Sequence, residues 1–170
     1  EHQYHVFLSK EMDEILNQQL FPPNFRFYRI QNSTSSYKGR RRLAEELSIL
    51  EKEISPDIVF SVFGPTYWKP RTTTHIAGFA NSIYIYKDSP FFKIISRGKW
   101  LNLKLREIIH MRSFKNHSDV LISETEDISG HLKRIFSNKP IFTVGNTCHQ
   151  VFSNEALWTN KIRLPEFKGF

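Results

Sequence analysis

The sequence predicts an α/β protein with a Rossmann-like, doubly wound, mostly parallel sheet and helices on both faces. Short apolar segments alternate along the chain with segments of helical periodicity, which is typical of parallel sheets crossed by helices. The run Asp57-Ile58-Val59-Phe60-Ser61-Val62-Phe63 is apolar at nearly every position, as in strands buried on both faces. A chain of 170 residues is also long enough for a domain with a core. We therefore predict one domain over residues 1–152 and a linker over residues 153–170.

The predicted elements follow one another in the order β-α-β-α-β-β-α-β-α-β. Strands are predicted from short apolar or alternating runs, and helices from apolar residues that recur every three or four positions. Ser9 is a predicted N-cap, and Pro22-Pro23 are predicted to end the first helix. In the second helix the periodicity turns Glu51 toward water. The predicted bounds are strand 4–9, helix 10–20, strand 25–30, polar linker 32–38, helix 39–54, strand 58–63, strand 76–80, helix 91–114, strand 119–123, helix 125–136 and strand 140–144.

The net charge of +7 is concentrated in one segment and predicts an anionic partner. Two acidic residues, Asp88 and Glu107, lie between residues 87 and 117. The basic residues of this segment are Lys87, Lys93, Arg97, Lys99, Lys104, Arg106, Arg112 and Lys115. The single cysteine, Cys148, excludes an internal disulfide and is typical of a reducing compartment. The sequence contains no run of about 20 apolar residues, so no transmembrane helix is predicted.

The helix predicted from residue 91 has one apolar face and one basic face. The residues predicted to form its core face are Phe91, Ile94, Ile95, Leu101, Leu105, Ile108 and Ile109. The residues predicted to form the opposite, membrane-facing side are Lys93, Arg97, Trp100, Lys104, Met111 and Lys115. An ordinary solvated face and a nucleic-acid surface are the alternatives. Nucleic acid is disfavoured because no helix-turn-helix, RNP-like or Gly-x-x-Gly motif accompanies the charge.

The loop after the run 57–63 is the predicted binding site. In open α/β sheets, ligands bind beyond the carboxyl ends of the strands. The residues predicted to contact a ligand are Gly64, Thr66, Tyr67, Trp68, Lys69 and Arg71 in the loop, with Phe79 and Asn81 at the end of the next strand. The rings of Tyr67 and Trp68 could stack on a ligand, or they could simply pack the loop. Lys69 and Arg71 could pair with a phosphate. No metal-ligand spacing, P-loop, G-x-G-x-x-G or G-x-S-x-G motif is present, so the catalytic residues stay unassigned.

Three segments resemble the amino-terminal domain of retaining GT-B glycosyltransferases of group 1, family four. The first is Pro56-Asp57-Ile58-Val59-Phe60 with its loop and His75-Ile76-Ala77-Gly78-Phe79-Ala80. The second is Asp119-Val120-Leu121-Ile122-Ser123-Glu124-Thr125-Glu126-Asp127-Ile128, and the third is Pro140-Ile141-Phe142-Thr143-Val144-Gly145-Asn146-Thr147. The resemblance spans roughly residues 54–152. It departs from the family pattern where the family places a first strand with a Gly-rich turn, and at Ala80 or Asn81, where many members have a histidine.

The resemblance implies half of a GT-B fold that binds a sugar or lipid-linked acceptor. The parent enzyme would transfer a sugar from a nucleotide-sugar to a cell-surface polysaccharide or glycolipid. The nucleotide-sugar would bind a carboxyl-terminal domain of the same parent chain, so no cofactor is expected here and the chain alone is expected to be inactive. The implied location is cytoplasmic, on the inner face of the membrane. The alternative function is a non-catalytic α/β module that docks on an anionic membrane surface or nucleic acid.

Overall fold

The computed structural model describes residues 2–32 and 36–145, which fold as an α/β structure. The predicted linker 153–170 lies outside these residues. The strands are β1 (Tyr4–Leu8), β2 (Phe25–Arg29), β3 (Ile58–Ser61), β4 (Thr74–Gly78), β5 (Val120–Ser123) and β6 (Ile141–Thr143). The helices are α1 (Lys10–Ile15), α2 (Tyr37–Ile54), α3 (Phe91–Ile94), α4 (Arg97–His117) and α5 (Glu126–Ile135), with 3-10 turns at Gln18–Leu20 and Ser82–Tyr84.

The parallel α/β class is confirmed, but the described strands form two sheets instead of one. β3, β4, β5 and β6 are all parallel and lie side by side in that order. β1 and β2 form a separate two-stranded parallel sheet. β3 is therefore an edge strand, and its carboxyl end lies at the edge of the larger sheet.

The helices that follow β4 and β5 cover one face of the four-stranded sheet. Ala77, Leu121 and Ile141 share this face and are buried in the core beside Phe114 of α4 and Leu132 of α5. The other face is open among the described residues, where Phe60 is 53% and Phe142 58% exposed. The prediction that the strand at 58–63 is buried on both faces is therefore wrong, because an edge strand with one uncovered face leaves its outward side chains in contact with solvent.

Polar caps set the starts of the helices. The Ser9 hydroxyl accepts from the Met12 N–H, as predicted, and Ser36 accepts from Gly39. The second helix therefore begins at Tyr37, two residues before the predicted start. The first helix ends at Ile15, and a short 3-10 turn capped by Asn17 replaces its predicted last part.

The long helix predicted over 91–114 is divided, and apolar residues predicted to face the core are exposed, whereas Arg97, Trp100 and Lys115 are exposed as predicted. Ile95 is extended, and α4 begins after the Ser96 N-cap. Leu103, Met111 and Phe114 of α4 pack against the core. The predicted core-face residues Leu101, Leu105, Ile108 and Ile109 are exposed, and so are Phe91 and Ile94 of α3. The assignment of Met111 to the outer face is therefore wrong. No helix within the described ranges has the length and apolar character needed to cross a membrane.

Candidate functional site

The loop between β3 and β4 leaves the sheet through a tight turn at Gly64–Pro65. The Gly64 N–H donates to the Gly78 carbonyl at 2.8 Å, and the Asn81 side-chain amide donates to the Gly64 carbonyl at 3.4 Å. The Gly64–Pro65 peptide bond is cis. These contacts hold the beginning of the loop against the end of β4. Asn81 therefore supports the loop.

A cavity of about 410 Å³ lies beside this turn, between the loop and two helices. Its lining residues are Arg40 from the first turns of α2, Pro65 and Tyr67 from the loop, and Arg106, Ile109 and His110 from α4. We call this space the arginine cleft. Among the described residues no carboxylate lines it. It is therefore an electropositive space next to the carboxyl end of a parallel strand, where α/β sheets bind ligands.

The aromatic and basic groups of the arginine cleft contact one another. The Arg40 guanidinium lies 4.0 Å from the centre of the Tyr67 ring. His110 Nδ1 is 2.9 Å from the Tyr84 hydroxyl, and its ring meets that of Tyr67 edge-on at 6.4 Å. Burial, and then the charges of Arg106 and Arg40, lower the pKa of His110. At neutral pH the cleft therefore offers two guanidinium groups and a neutral imidazole, a set that suits an anionic ligand carrying hydroxyl groups.

Tyr67 is the predicted contact residue that lines the arginine cleft. Trp68 is half-buried, its indole N–H donates to the Ser48 hydroxyl at 2.8 Å, and its ring lies 6.3 Å from that of His75. Lys69 forms an ion pair with Asp119 at 2.5 Å. The Arg71 side chain lines a shallow depression beside α2. Trp68 thus attaches the loop to α2, and Lys69 attaches it to the start of β5.

The other predicted residues do not line the cleft; they contact α4 beside it. The Thr66 carbonyl accepts from the Ser113 hydroxyl and lies 3.1 Å from His117 Nδ1, both on α4. Phe79 is buried and packs on Phe114, with ring centres 5.0 Å apart. Gly64 also faces the Phe114 ring. These residues set the distance between loop and helix.

Sequence reasoning missed Arg40, Arg106 and His110. Arg106 stood in the basic segment, but nothing distinguished it from its seven basic neighbours. Arg40 lies in a run of three arginines at the start of α2, and its position beside Tyr67 depends on the fold. No protein-family model and no curated protein sequence matches the chain.

Glu51 binds the end of the loop that precedes β4, although the helical periodicity predicts that its side chain faces water. It is buried, and its Oε1 accepts from the Arg71 N–H at 2.7 Å and from the Thr72 N–H and hydroxyl at 3.0 Å each. Burial opposes its ionisation, but the hydrogen bonds from Thr72 and Arg71 outweigh burial and lower the pKa of Glu51. The carboxylate thus satisfies two backbone donors that the loop would otherwise leave without a partner.

Replacing Glu51 with alanine is expected to lower the free energy of unfolding by about 3 kcal/mol, since the Arg71 and Thr72 N–H groups and the Thr72 hydroxyl lose their acceptor. Because the pKa is lower in the native state, the contribution of Glu51 is complete at neutral pH. It is lost as the pH falls from about 4.3, the usual value of a glutamate, through the native pKa. Urea denaturation at pH 7 and pH 3.5 measures both effects. The control is Glu53→Ala, an exposed residue of the same helix, and an equal loss in the control would contradict the assignment.

Proposed function

We propose that this chain is the acceptor-binding domain of a glycosyltransferase that transfers a sugar from a nucleotide-sugar to a cell-surface polysaccharide or glycolipid. The observation that supports this best is the arginine cleft, which lies where the resemblance expects the acceptor. Its guanidinium groups suit a phosphate or carboxylate on an acceptor, and the Tyr67 ring, one face of which holds Arg40, is the ring in the cleft that a sugar would contact. The two other segments of resemblance fall on β5 with the start of α5, and on β6, whose carboxyl ends lie along the same edge of the sheet.

In this proposal the domain contributes position and charge to the reaction. The acceptor hydroxyl attacks the anomeric carbon of the donor sugar, the bond from that carbon to the nucleotide diphosphate breaks, and the hydroxyl proton passes to the departing diphosphate. Arg106 and Arg40 hold the anionic part of the acceptor, so that the hydroxyl is fixed relative to the donor. The neutral His110 ring and the Tyr84 hydroxyl form a polar wall beside them. The donor binds a second domain, as the resemblance implies.

Replacing Arg106 with alanine is expected to raise the KM for an anionic acceptor by about 10- to 100-fold, the size of one charged hydrogen bond. Activity is measured in the protein that contains this chain, and circular dichroism checks the fold. Arg134→Ala is the control, because it removes an exposed arginine of α5 that lies outside both the cleft and α4. The same acceptor KM in wild type and Arg106→Ala would refute the acceptor assignment.

The second candidate function is a non-catalytic module that docks on an anionic surface. The observation that favours it is the charge of α4, which carries six Lys or Arg residues and one Glu. The two candidates differ in one measurable property of the protein that contains this chain, since with a non-catalytic module that protein would transfer no sugar at any acceptor concentration. A glycosyltransferase that also docks on a membrane would combine both properties, with a cytoplasmic location at the inner face.

A further inference from the structure

The solvent side of α4 carries an apolar stripe that the core does not use. Leu101 and Ile108 are each 65% exposed, and Leu105 is 56% exposed. At 3.6 residues per turn these three residues lie within about 60° of one another around the helix. We call them the outer stripe. The helix has a second apolar side, with Leu103, Met111 and Phe114, which packs against the core.

The surroundings of the outer stripe extend its apolar surface. Trp100 is 43% exposed but lies about 100° around the helix from Leu101, on the side of Lys104, whose ammonium is 5.9 Å from its ring. Ile109, about 40° from Leu105 around the helix, is also exposed and widens the stripe. A contiguous exposed apolar surface of this kind on a folded domain marks a contact surface.

Positive charges stand at both ends of the outer stripe. Arg97 precedes it by about one turn, and Arg112 and Lys115 follow it; all three are exposed and share its side of the helix. The acidic side chain of α4, Glu107, lies on the inner side and is bonded to Lys87 at 2.5 Å and to Lys104 at 3.2 Å. The outer side therefore carries cations along about 27 Å of helix, with no carboxylate of α4 to balance them.

We propose that the outer stripe of α4 is a docking surface for an anionic lipid bilayer. An amphipathic helix that lies in the interface places its apolar residues at the acyl boundary and its cations at the lipid phosphates. The straight line of apolar residues with cations at both ends fits a flat anionic surface. A second copy of the chain fits poorly, because two such surfaces would bring like charges together.

The docking surface and the arginine cleft share one helix. Arg106 and Ile109 line the cleft, and they lie within one residue of Leu105 and Ile108 of the outer stripe. A domain docked through this stripe therefore holds the cleft close to the bilayer surface. If the proposed function is right, and this step rests on it, the acceptor that reaches the cleft is carried by a lipid.

The test is co-sedimentation of the protein with vesicles of phosphatidylcholine alone and with vesicles containing phosphatidylglycerol. We expect binding to the anionic vesicles that weakens at least 10-fold in the triple variant Leu101→Gln/Leu105→Gln/Ile108→Gln. The matched control is Ile49→Gln/Ile135→Gln, which changes exposed apolar residues of α2 and α5 and is expected to bind like the wild type. Raising the salt from about 0.1 M to about 1 M, which shortens the Debye length from ~10 Å to ~3 Å, is expected to weaken binding as well.

A spectroscopic measurement locates the contact. Trp100 fluorescence is expected to shift to shorter wavelength on anionic vesicles, and this shift is expected to disappear in Trp100→Phe. Circular dichroism and thermal melting check the triple variant, and Arg97→Glu/Arg112→Glu/Lys115→Glu tests the same surface if the triple variant does not fold. Loss of vesicle binding in this charge variant would support the proposal, and retained binding would overturn it.

Three other outcomes would overturn the proposal. The first is no binding to anionic vesicles, and the second is equal binding by the wild type and the triple variant. The third is self-association or duplex DNA binding that the triple variant loses while vesicle binding is absent. None of these touches the Arg106→Ala result, so a failed docking surface with an intact acceptor effect would identify a soluble acceptor.

Discussion

Replacing Gly78 with alanine is expected to prevent the native fold, at a cost of more than about 4 kcal/mol. Gly78 ends β4, an interior strand of the four-stranded sheet. A Cβ at this position would overlap the carbonyl oxygen of Val62 and lie 2.9 Å from its carbonyl carbon. Both are backbone atoms at the start of the site loop, so no side-chain rotation can relieve the overlap. The Gly64 N–H bond to the Gly78 carbonyl would be disturbed at the same point.

Urea denaturation monitored by circular dichroism measures this effect. The control is Gly98→Ala in α4, where a Cβ meets no atom within 4 Å. This control is expected to raise the free energy of unfolding by up to ~1 kcal/mol, since alanine favours a helix over glycine. A Gly78→Ala variant that unfolds at the wild-type urea concentration would show that β4 and the loop do not approach as described.

The order of the elements could be predicted because local chemistry decides it. Short apolar runs became strands at nearly their predicted bounds, and Ser9 caps its helix as its hydroxyl predicts. The division into two sheets could not be predicted, because an apolar run looks the same in an edge strand and in a central one. The exposed side chains of β3, such as Phe60, follow from that division.

The orientation of α4 was predicted wrongly because the helix is apolar on two sides. Leu101, Leu105 and Ile108 form one stripe, and Leu103, Met111 and Phe114 form another. Periodicity identifies stripes but does not tell which one meets the core. The break at Ile95 also removed α3 from the helix on which the predicted faces were drawn.

The position of the candidate site could be predicted from the sequence, but only some of the residues that form it could be. The turn at Gly64–Pro65 marked the end of a strand, and Tyr67 beside it lines the cleft. Arg40 and Arg106 reach the same cleft from helices distant along the chain, which no local pattern reveals. Trp68 seemed suited to stacking on a ligand, but its N–H finds a partner in Ser48 and the ring fastens the loop.

Replacing His75 with phenylalanine is expected to lower the free energy of unfolding by about 3 kcal/mol at pH 7.5. The ring is fully buried, Nδ1 donates to the His117 carbonyl, and Nε2 lies 2.9 Å from the Ser61 hydroxyl, which therefore donates to it. The imidazole thus ties the end of α4 to β3 across β4. Phenylalanine preserves the volume approximately but leaves the carbonyl and the hydroxyl without their partner, and each such loss costs about 1–3 kcal/mol. The exposed His2→Phe is the control, expected within about 0.5 kcal/mol of the wild type.

The pH dependence of the free energy of unfolding distinguishes a loss of the His75 hydrogen bonds from a loss of packing alone. Burial lowers the pKa of His75, only partly offset by the bond to the His117 carbonyl and the charge of Asp119. Below about pH 6.5 the unfolded chain therefore binds a proton that the native ring does not, so wild-type stability falls as the pH drops through that window. The variant lacks this group, and the difference in stability between wild type and His75→Phe is expected to narrow from pH 7.5 to pH 5. A difference that stays constant over this range would mean that His75 is protonated equally in both states, which a fully buried imidazole between Ser61 and the end of α4 does not allow.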